Sequence, residues 1–234
     1  TLVSAERKDF TDKEGISGFE SKKHSNELRL GITGDFRDDV FSGGVSTYDL
    51  NGTVGRVTYD SAAPAATDDD RNFRKVGLGY SRLQNLVTGS LLLYVNYRGQ
   101  IAFNNLDSTQ QFRLGGADGV RAFAPGEGNG DSGHIITTEL RFLPPTSFFG
   151  PVSRELVFAV FYDWGRVRLR DDPSQRGPAF INHQTLAGHG VSLAWERPRS
   201  FNFRIHIAER SVGHQTGDPV MRTPRIYAEF SKRM

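Results

Sequence analysis

Residues 112–133 read FRLGGADGVRAFAPGEGNGDSG and lie between two stretches in which apolar and polar residues alternate. The segment holds too many glycines for a strand and shows no apolar repeat of helical period. An arginine, Arg121, stands between Val120 and the pair Ala122 and Phe123. We predict that this glycine-rich segment is a long loop joining two strands of a β-barrel.

The stretches that flank the glycine-rich segment have the period of two that half-buried strands show. After it, Ile136, Leu140 and Phe142 share one side of the chain, whereas Glu139 and Arg141 share the other. The same pattern along the whole chain predicts an all-β fold of about ten strands and no helix. The predicted strands are 2–10, 26–37, 45–60, 73–84, 89–101, 134–142, 154–169, 187–197, 200–210 and 224–231.

The composition limits the class of protein. Of 234 residues, 37% are hydrophobic and 24% charged. No apolar run approaches the ~18 residues of a membrane-spanning helix. No linker or composition shift divides the chain, so we predict one domain over residues 1–234. Cysteine is absent, which excludes disulfides and thiolate metal sites. The net charge is only +2, and the lysines and arginines are scattered singly along the chain, which argues against a nucleic-acid partner.

The apolar faces favour a membrane barrel. They are long and end in aromatic residues, as the two interfaces of a membrane favour. These aromatic residues are Tyr97, Phe142, Tyr162, Trp164, Trp195, Phe201 and Phe230. Short turns are predicted at 42–44, 85–88, 144–151 and 198–199, and long loops at 11–25, 61–72, 112–133, 170–185 and 211–223. We therefore predict a transmembrane antiparallel β-barrel, although a soluble lipocalin-like barrel shares the period of two.

Five short motifs carry a resemblance to a known family. They are Leu114-Gly115-Gly116, Val120-Arg121-Ala122-Phe123, Gly130-Asp131-Ser132-Gly133, Glu139-Leu140-Arg141 and, on the next predicted strand, Phe161, Asp163 and Gly165. In order and spacing they resemble the lid region of the TpsB transporters, the hemolysin secretion/activation proteins of two-partner secretion. That family shares a superfamily with the BamA barrel-assembly proteins. Ala122 stands where the family usually has glycine, which argues only against a positive φ at that position.

The resemblance implies an architecture. The family barrel has about 16 strands, of which this chain would form the C-terminal ten, with a long loop folded inwards as a lid. The N-terminal strands and the POTRA domains would be absent from it. Because the sequence starts at Thr1 without a signal peptide, we expect a fragment or a processed product.

The resemblance also implies a function. The protein would be a translocator in the outer membrane of a Gram-negative bacterium, secreting a large β-helical partner of hemolysin or adhesin type through its lumen. The implied partners are the secreted protein, outer-membrane lipid and the barrel-assembly machinery, with a monomeric barrel and no cofactor. An assembly factor of the BamA branch, or the membrane anchor of a fused patatin-type enzyme, is the alternative.

The motifs predict a contact that latches the lid to the barrel wall. Asp163 is on the polar face of its strand and would point into the lumen, where an inward-folded loop would bring Arg121 to it. The two would pair bidentately, which lysine could not reproduce. Gly165 would leave room for the loop backbone, and Phe123 would pack on Phe161. An ordinary flexible surface loop is the alternative interpretation.

The predicted site therefore has two parts. The lid motif consists of Leu114, Gly115, Gly116, Val120, Arg121, Ala122, Phe123, Gly130, Asp131 and Gly133, and the wall motif consists of Phe161, Asp163 and Gly165.

We predict no catalytic site and no metal site. The histidines have no metal-ligand spacing; they are His24, His134, His183, His189, His206 and His214. Asp131, Ser132 and His134 belong to one short segment and cannot readily form a hydrolytic triad. The sequence also lacks a G-x-S-x-G elbow, a P-loop and a dinucleotide fingerprint.

Overall fold

A computed structural model describes residues 1–13, 20–60, 71–174, 176–213 and 224–232. Ten antiparallel strands form one sheet in which neighbours along the chain are also neighbours in space. The strands are β1 (Leu2–Lys13), β2 (Glu20–Asp38), β3 (Gly44–Tyr59), β4 (Asn72–Val87), β5 (Leu91–Ala102), β8 (Ser132–Phe142), β9 (Leu156–Arg168), β10 (His183–Arg197), β11 (Phe201–Val212) and β12 (Arg225–Lys232). A separate pair is formed by β6 (Phe112–Arg113) and β7 (Asn129–Gly130). The prediction of an all-β chain with ten main strands is confirmed.

Several predicted boundaries are wrong. The predicted loop 11–25 is partly strand, because β1 continues to Lys13 and β2 begins at Glu20. The polar residues there are paired in a continuous antiparallel ladder, which maintains a strand without an apolar pattern. Residues 61–70 and 214–223, within two other predicted long loops, lie outside the described residues.

One predicted turn contains helical structure. Residues Thr146–Phe149 form a short α-helix, α1, and Gly150–Glu155 form a 3-10 helix, so the prediction of no helix is wrong here. Pro145 caps α1, and a proline also stands at the start of the 3-10 helix. The fixed φ of proline suits the first turn of a helix. Within the described ranges, no helix is long and apolar enough to cross a membrane.

The two faces of the sheet differ in chemistry. On the outer face, apolar side chains are exposed along paired strands, as at Ile32, Leu50 and Leu78, which are opposite one another in register. The same face exposes Leu28, Leu30, Val54, Val160, Tyr162, Val191, Ile226 and Phe230. Such a surface is what a membrane barrel presents to lipid. The inner face carries mostly polar, charged and glycine residues.

The core lies between the inner face and the loop that connects β5 to β8, residues 103–131, which we call the inner loop. The inner loop forms two apolar clusters with the sheet. One contains Leu106 with Val57, Phe73 and Ala102, and the other contains Phe112, Leu114, Val120, Ala122 and Phe123 with Ile135, Phe161, Val167, Leu186 and Ala208. The loop therefore starts earlier than the predicted 112–133, and Ser132 and Gly133 belong to β8.

Candidate functional site

Most of the glycine-rich segment forms a compact unit, residues 112–130, which we call the hairpin. Pairing of β6 with β7 joins the two ends of the hairpin. The backbone N–H groups of Leu114 and Gly115 donate to the carbonyls of Gly128 and Glu127, both at 3.0 Å. The hairpin thus satisfies much of its own backbone hydrogen bonding.

The tip of the hairpin folds back on itself. The Val120 N–H donates to the Leu114 carbonyl at 2.7 Å, and the Gly116 N–H donates to the Phe123 carbonyl at 3.1 Å. Gly116 has a φ of +122°, which a residue with a Cβ rarely adopts. At Gly119, a Cβ would overlap the Leu114 carbonyl. Glycine at these two positions permits the sharp reversal.

The reversal directs Arg121 towards the wall of the sheet, where it meets Asp163 of β9. The Arg121 Nε and Nη2 atoms each donate to a different oxygen of Asp163 at 2.9 Å, and the Arg121 backbone N–H donates to Asp163 Oδ2 at 3.0 Å. Arg121 is 4% exposed and Asp163 is completely buried. The contact is therefore a buried bidentate ion pair, the strongest geometry for these two groups.

Three further groups complete the surroundings of Arg121. Its Nη1 donates to Glu139 Oε1 at 2.7 Å and lies 3.4 Å from His206 Nδ1, and its guanidinium lies 3.4 Å from the centre of the Phe161 ring. The other Glu139 oxygen accepts from Arg141 Nε at 2.8 Å. Two arginines and two carboxylates thus form a locally neutral cluster.

The contact of Glu139 with Arg121 was not predicted from the sequence. The available signal was the place of Glu139 on the polar face of the Glu-Leu-Arg strand, beside the strand that carries Asp163.

Burial acts to lower the pKa of Arg121, but Asp163 and Glu139 outweigh burial and raise this pKa above its ordinary value. The guanidinium therefore stays charged.

Glycines on the wall make room for the hairpin. A Cβ on Gly165 would lie 2.8 Å from Leu114 Cδ2, so Gly165 accommodates a loop side chain and not the loop backbone that the sequence suggested. On β10, a Cβ on Gly188 would overlap the Ala122 methyl group. Ala122 itself is not among the described non-glycine residues with positive φ, which are Phe41 and Arg199.

Side chains from the wall also bind carbonyl groups of the hairpin. Arg210 Nε donates to the Ala122 carbonyl at 3.2 Å, and the Tyr227 hydroxyl donates to the Phe123 carbonyl at 2.8 Å. The Phe123 ring faces the Arg210 guanidinium at 4.6 Å and belongs to the same apolar cluster as Phe161. Arg210 and Tyr227 were not predicted as site residues, because binding to backbone carbonyl groups leaves no motif in the sequence.

The end of the inner loop is held by Asp131, which is completely buried. Its carboxylate accepts from Gln111 Nε2 and from the Asp171 backbone N–H, both at 2.9 Å. Burial raises the pKa of this carboxyl above its ordinary value. Gly130 and Gly133 lie against β9, where added Cβ atoms would be 2.5 Å from the Arg168 carbonyl and 2.6 Å from Val167 Cγ1.

At this end of the inner loop, the residues that a hydrolytic triad would need make contacts with other groups. The Ser132 hydroxyl accepts from the Ala102 N–H at 2.9 Å, and the His134 ring packs against Trp164 at 5.3 Å. Asp131, Ser132 and His134 therefore make separate contacts instead of a proton relay. In the part of the chain that the structure describes, no group of three or more potential ligands could hold a metal ion. His214 lies outside that part.

Comparisons with solved structures support the fold. CdiB from Escherichia coli superposes with a TM-score of 0.53 at 14% sequence identity, covering 96% of this chain and 48% of CdiB. At this level of identity the likeness concerns the fold alone.

Comparisons of sequence identify relatives and a family. The heme/hemopexin transporter protein HuxB of Haemophilus influenzae strain 86-028NP is 26% identical over 215 residues, and that of strain Rd is 26% identical over 214 residues. Each alignment covers 89% of this chain and 37% of the relative, so the chain spans little more than a third of their length. A family model described as haemolysin secretion/activation protein ShlB/FhaC/HecB matches residues 3–194. The chain therefore belongs to the haemolysin secretion/activation protein family ShlB/FhaC/HecB.

Proposed function

We propose that this chain forms the C-terminal part of an outer-membrane translocator that secretes a partner protein through its lumen. Family membership supports a role in two-partner secretion, and the exposed apolar outer face supports a place in lipid. The remaining strands of a barrel of about 16 would close the edges at β1 and β12, because an open sheet edge is not viable in lipid. The barrel works as a monomer, assembled by the barrel-assembly machinery of a Gram-negative bacterium.

The secreted partner in this proposal is a large β-helical protein of hemolysin or adhesin type. In this proposal the partner passes through the lumen as an extended chain. Because the partner folds after it reaches the outside of the cell, folding favours export without nucleotide hydrolysis. The inner loop covers much of the inner face and must move to admit such a chain.

The observation that carries the proposal is the buried contact of Arg121 with Asp163. It latches the hairpin to β9 in the resting protein. Removing one partner of a buried ion pair leaves an unpaired charge and costs about 3–5 kcal/mol. The latch is therefore strong enough to determine the position of the hairpin, yet all of its bonds are made to the Asp163 side chain and can break without unfolding the sheet.

Secretion by latch variants tests this proposal. Arg121→Ala and Asp163→Ala should each reduce secretion of the partner into the medium while the barrel still reaches the membrane. Arg121→Lys should also secrete poorly, because an ammonium cannot make the two parallel bonds to Asp163 or stack on Phe161. The measurement is the amount of secreted partner per assembled barrel.

The matched control is Arg82→Ala. Arg82 also binds a carboxylate bidentately, with Nη1 and Nη2 each 2.8 Å from an oxygen of Asp38, but this pair lies away from the inner loop. The control should secrete normally. Normal secretion by both Arg121→Ala and Asp163→Ala would show that the latch has no role.

A further inference from the structure

The first part of the inner loop, residues 103–111, docks on a different region of the wall. We call this part the base. Leu106 is completely buried against Val57, Phe73 and Ala102, and none of these four residues belongs to the cluster under the hairpin. The inner loop therefore has two separate docking sites on the sheet.

Buried charges reinforce the docking of the base. Asp107 Oδ2 accepts from Lys23 Nζ at 3.0 Å and from the Tyr59 hydroxyl at 2.8 Å. Gln110 Nε2 donates to Glu27 Oε1 at 2.7 Å. Lys23, Glu27 and Tyr59 come from β2 and β3, on the opposite side of β5 from the latch.

The base also continues the hydrogen bonding of the sheet. The Phe103 N–H donates to the Arg74 carbonyl at 3.1 Å, and the Arg74 N–H donates to Asn104 Oδ1 at 3.0 Å. Lys75 Nζ donates to the Gln110 carbonyl at 2.8 Å. Displacing the base would break both backbone and side-chain bonds to β4.

The hairpin is attached differently. Side chains of Arg121, Arg210, Tyr227 and Arg98 make its hydrogen bonds to the wall, the last by donating to the Asp118 carbonyl at 3.0 Å. Its backbone-to-backbone hydrogen bonds are internal, and the Arg121 N–H donates to a side chain of the wall, the Asp163 carboxylate. It can leave the wall as a preformed unit, whereas the base cannot leave without breaking the end of the ladder between β4 and β5.

We infer that the inner loop moves in two parts, so that the hairpin leaves during transport while the base remains docked. The surface that the hairpin vacates, formed by Ile135, Phe161, Val167, Leu186 and Ala208, then receives the transported chain. Lys23, Glu27 and Tyr59 are positioning residues that keep the base in place. This inference rests on the proposed translocator function.

The vacated surface fits an extended polypeptide with apolar side chains. The hairpin itself fills it with Leu114, Val120 and Phe123, all completely buried. Gly165 and Gly188 on the wall permit close approach, since a Cβ at either position would collide with the hairpin. A segment of the secreted partner that alternates apolar and polar residues offers the same contacts, because its apolar side chains would all lie on one side.

Two phenylalanines of the wall provide a matched test. Phe161 lies under the hairpin and Phe73 under the base, and both are buried. Each is replaced, in separate strains, by azidophenylalanine, and cells are illuminated during secretion of the partner. Position 161 should crosslink the partner, and position 73 should crosslink it at least about tenfold less, because the docked base excludes the transported chain from it.

The outcomes separate the inference from the proposed function. Equal capture of the partner at both positions would overturn the two-part loop and leave transport through this lumen intact. Capture at neither position, in strains that secrete, would overturn transport past this wall and with it the proposed function.

Hydrogen exchange supplies a second measurement that needs no photoreactive residue. In purified Arg121→Ala protein, amides of residues 112–130 should exchange at least about tenfold faster than in the unaltered protein, since the latch pair is lost. Amides of residues 103–111 should exchange at unchanged rates. Faster exchange in both parts would mean that the inner loop moves as one piece.

Discussion

At the scale of single residues, the site depends on the shape of arginine. Arg121 makes two parallel bonds to Asp163, a third to Glu139 and a stacking contact with Phe161. A planar guanidinium can serve all of these partners at once, whereas an ammonium is a single compact charge. Arg141 balances the second carboxylate, so the cluster can be buried with little net charge.

The contact of Ala122 with Gly188 can be tested by substituting the two residues. Gly188→Ala places a methyl group where the Ala122 methyl lies, and such overpacking should weaken hairpin docking by about 1–3 kcal/mol. Adding Ala122→Gly should restore part of the loss, and only part, because the new Cβ also lies 2.8 Å from the Glu209 carbonyl. A double-mutant cycle on the exchange rates of hairpin amides measures this coupling. Additive effects of the two substitutions would contradict the contact.

At the scale of elements, the inner loop joins the two halves of the sheet. Its base is bonded to β2, β3 and β4, and its hairpin packs on β8 to β11. Asp131 ties the two parts together through Gln111 and also binds the loop that follows β9. The loop thus behaves as an internal element of structure and not as a surface connection.

The docking of the base should depend on pH through Asp107. Burial acts to raise the pKa of this carboxyl, but hydrogen bonds from Thr109, Tyr59 and Lys23 outweigh burial and lower the pKa below the ordinary value of an aspartate. Because the docked form has the lower pKa, Asp107 contributes its full stabilisation above that ordinary value and loses it as pH falls through the lowered value.

The measurement is the exchange protection of residues 103–111 in the unaltered protein and in Asp107→Asn at the same pH. At neutral pH the variant should lose about 2 kcal/mol of protection, because a charged hydrogen-bonding group is removed. The difference should shrink below the lowered pKa. A difference that stays constant with pH would exclude Asp107 as the titrating group.

At the scale of the whole molecule, the sheet separates two environments. Its outer face exposes aliphatic and aromatic side chains that a soluble protein would cover, and much of its inner face is covered by the inner loop. In the proposed translocator the outer face lies in lipid, where each interior strand pairs with a neighbour on both sides within the sheet.

Adjacent residues on β2 test this arrangement. Ile32 is 49% exposed on the outer face, and Thr33 is on the opposite face of the same strand. Ile32→Arg should cost about 2–4 kcal/mol in the membrane and reduce the amount of assembled, heat-modifiable barrel. Thr33→Arg, its matched control, should assemble normally. Equal assembly of the two variants would be incompatible with a lipid-facing outer surface.

Much of the fold could be predicted because strand faces are a local property. The alternation at Leu28, Leu30 and Ile32 predicts a strand and its apolar side without knowledge of any partner strand. Strand ends were harder to predict, since residues 11–13 and 20–25 are held as strand by pairing with neighbouring strands. The helical turn at 146–155 has no period long enough to be recognised.

For the site, local patterns are enough to identify the residue types that can meet in a lumen: an arginine in a glycine-rich loop and an aspartate on the polar face of a strand. The other groups around this pair come together only through the fold. Glu139, His206 and Arg210 reach the hairpin through the registers of β8 and β11, and Asp107 reaches Lys23 across 84 positions of the chain. Alternation is encoded in neighbouring residues and can therefore be recognised locally, whereas these contacts depend on the path of the inner loop across the sheet.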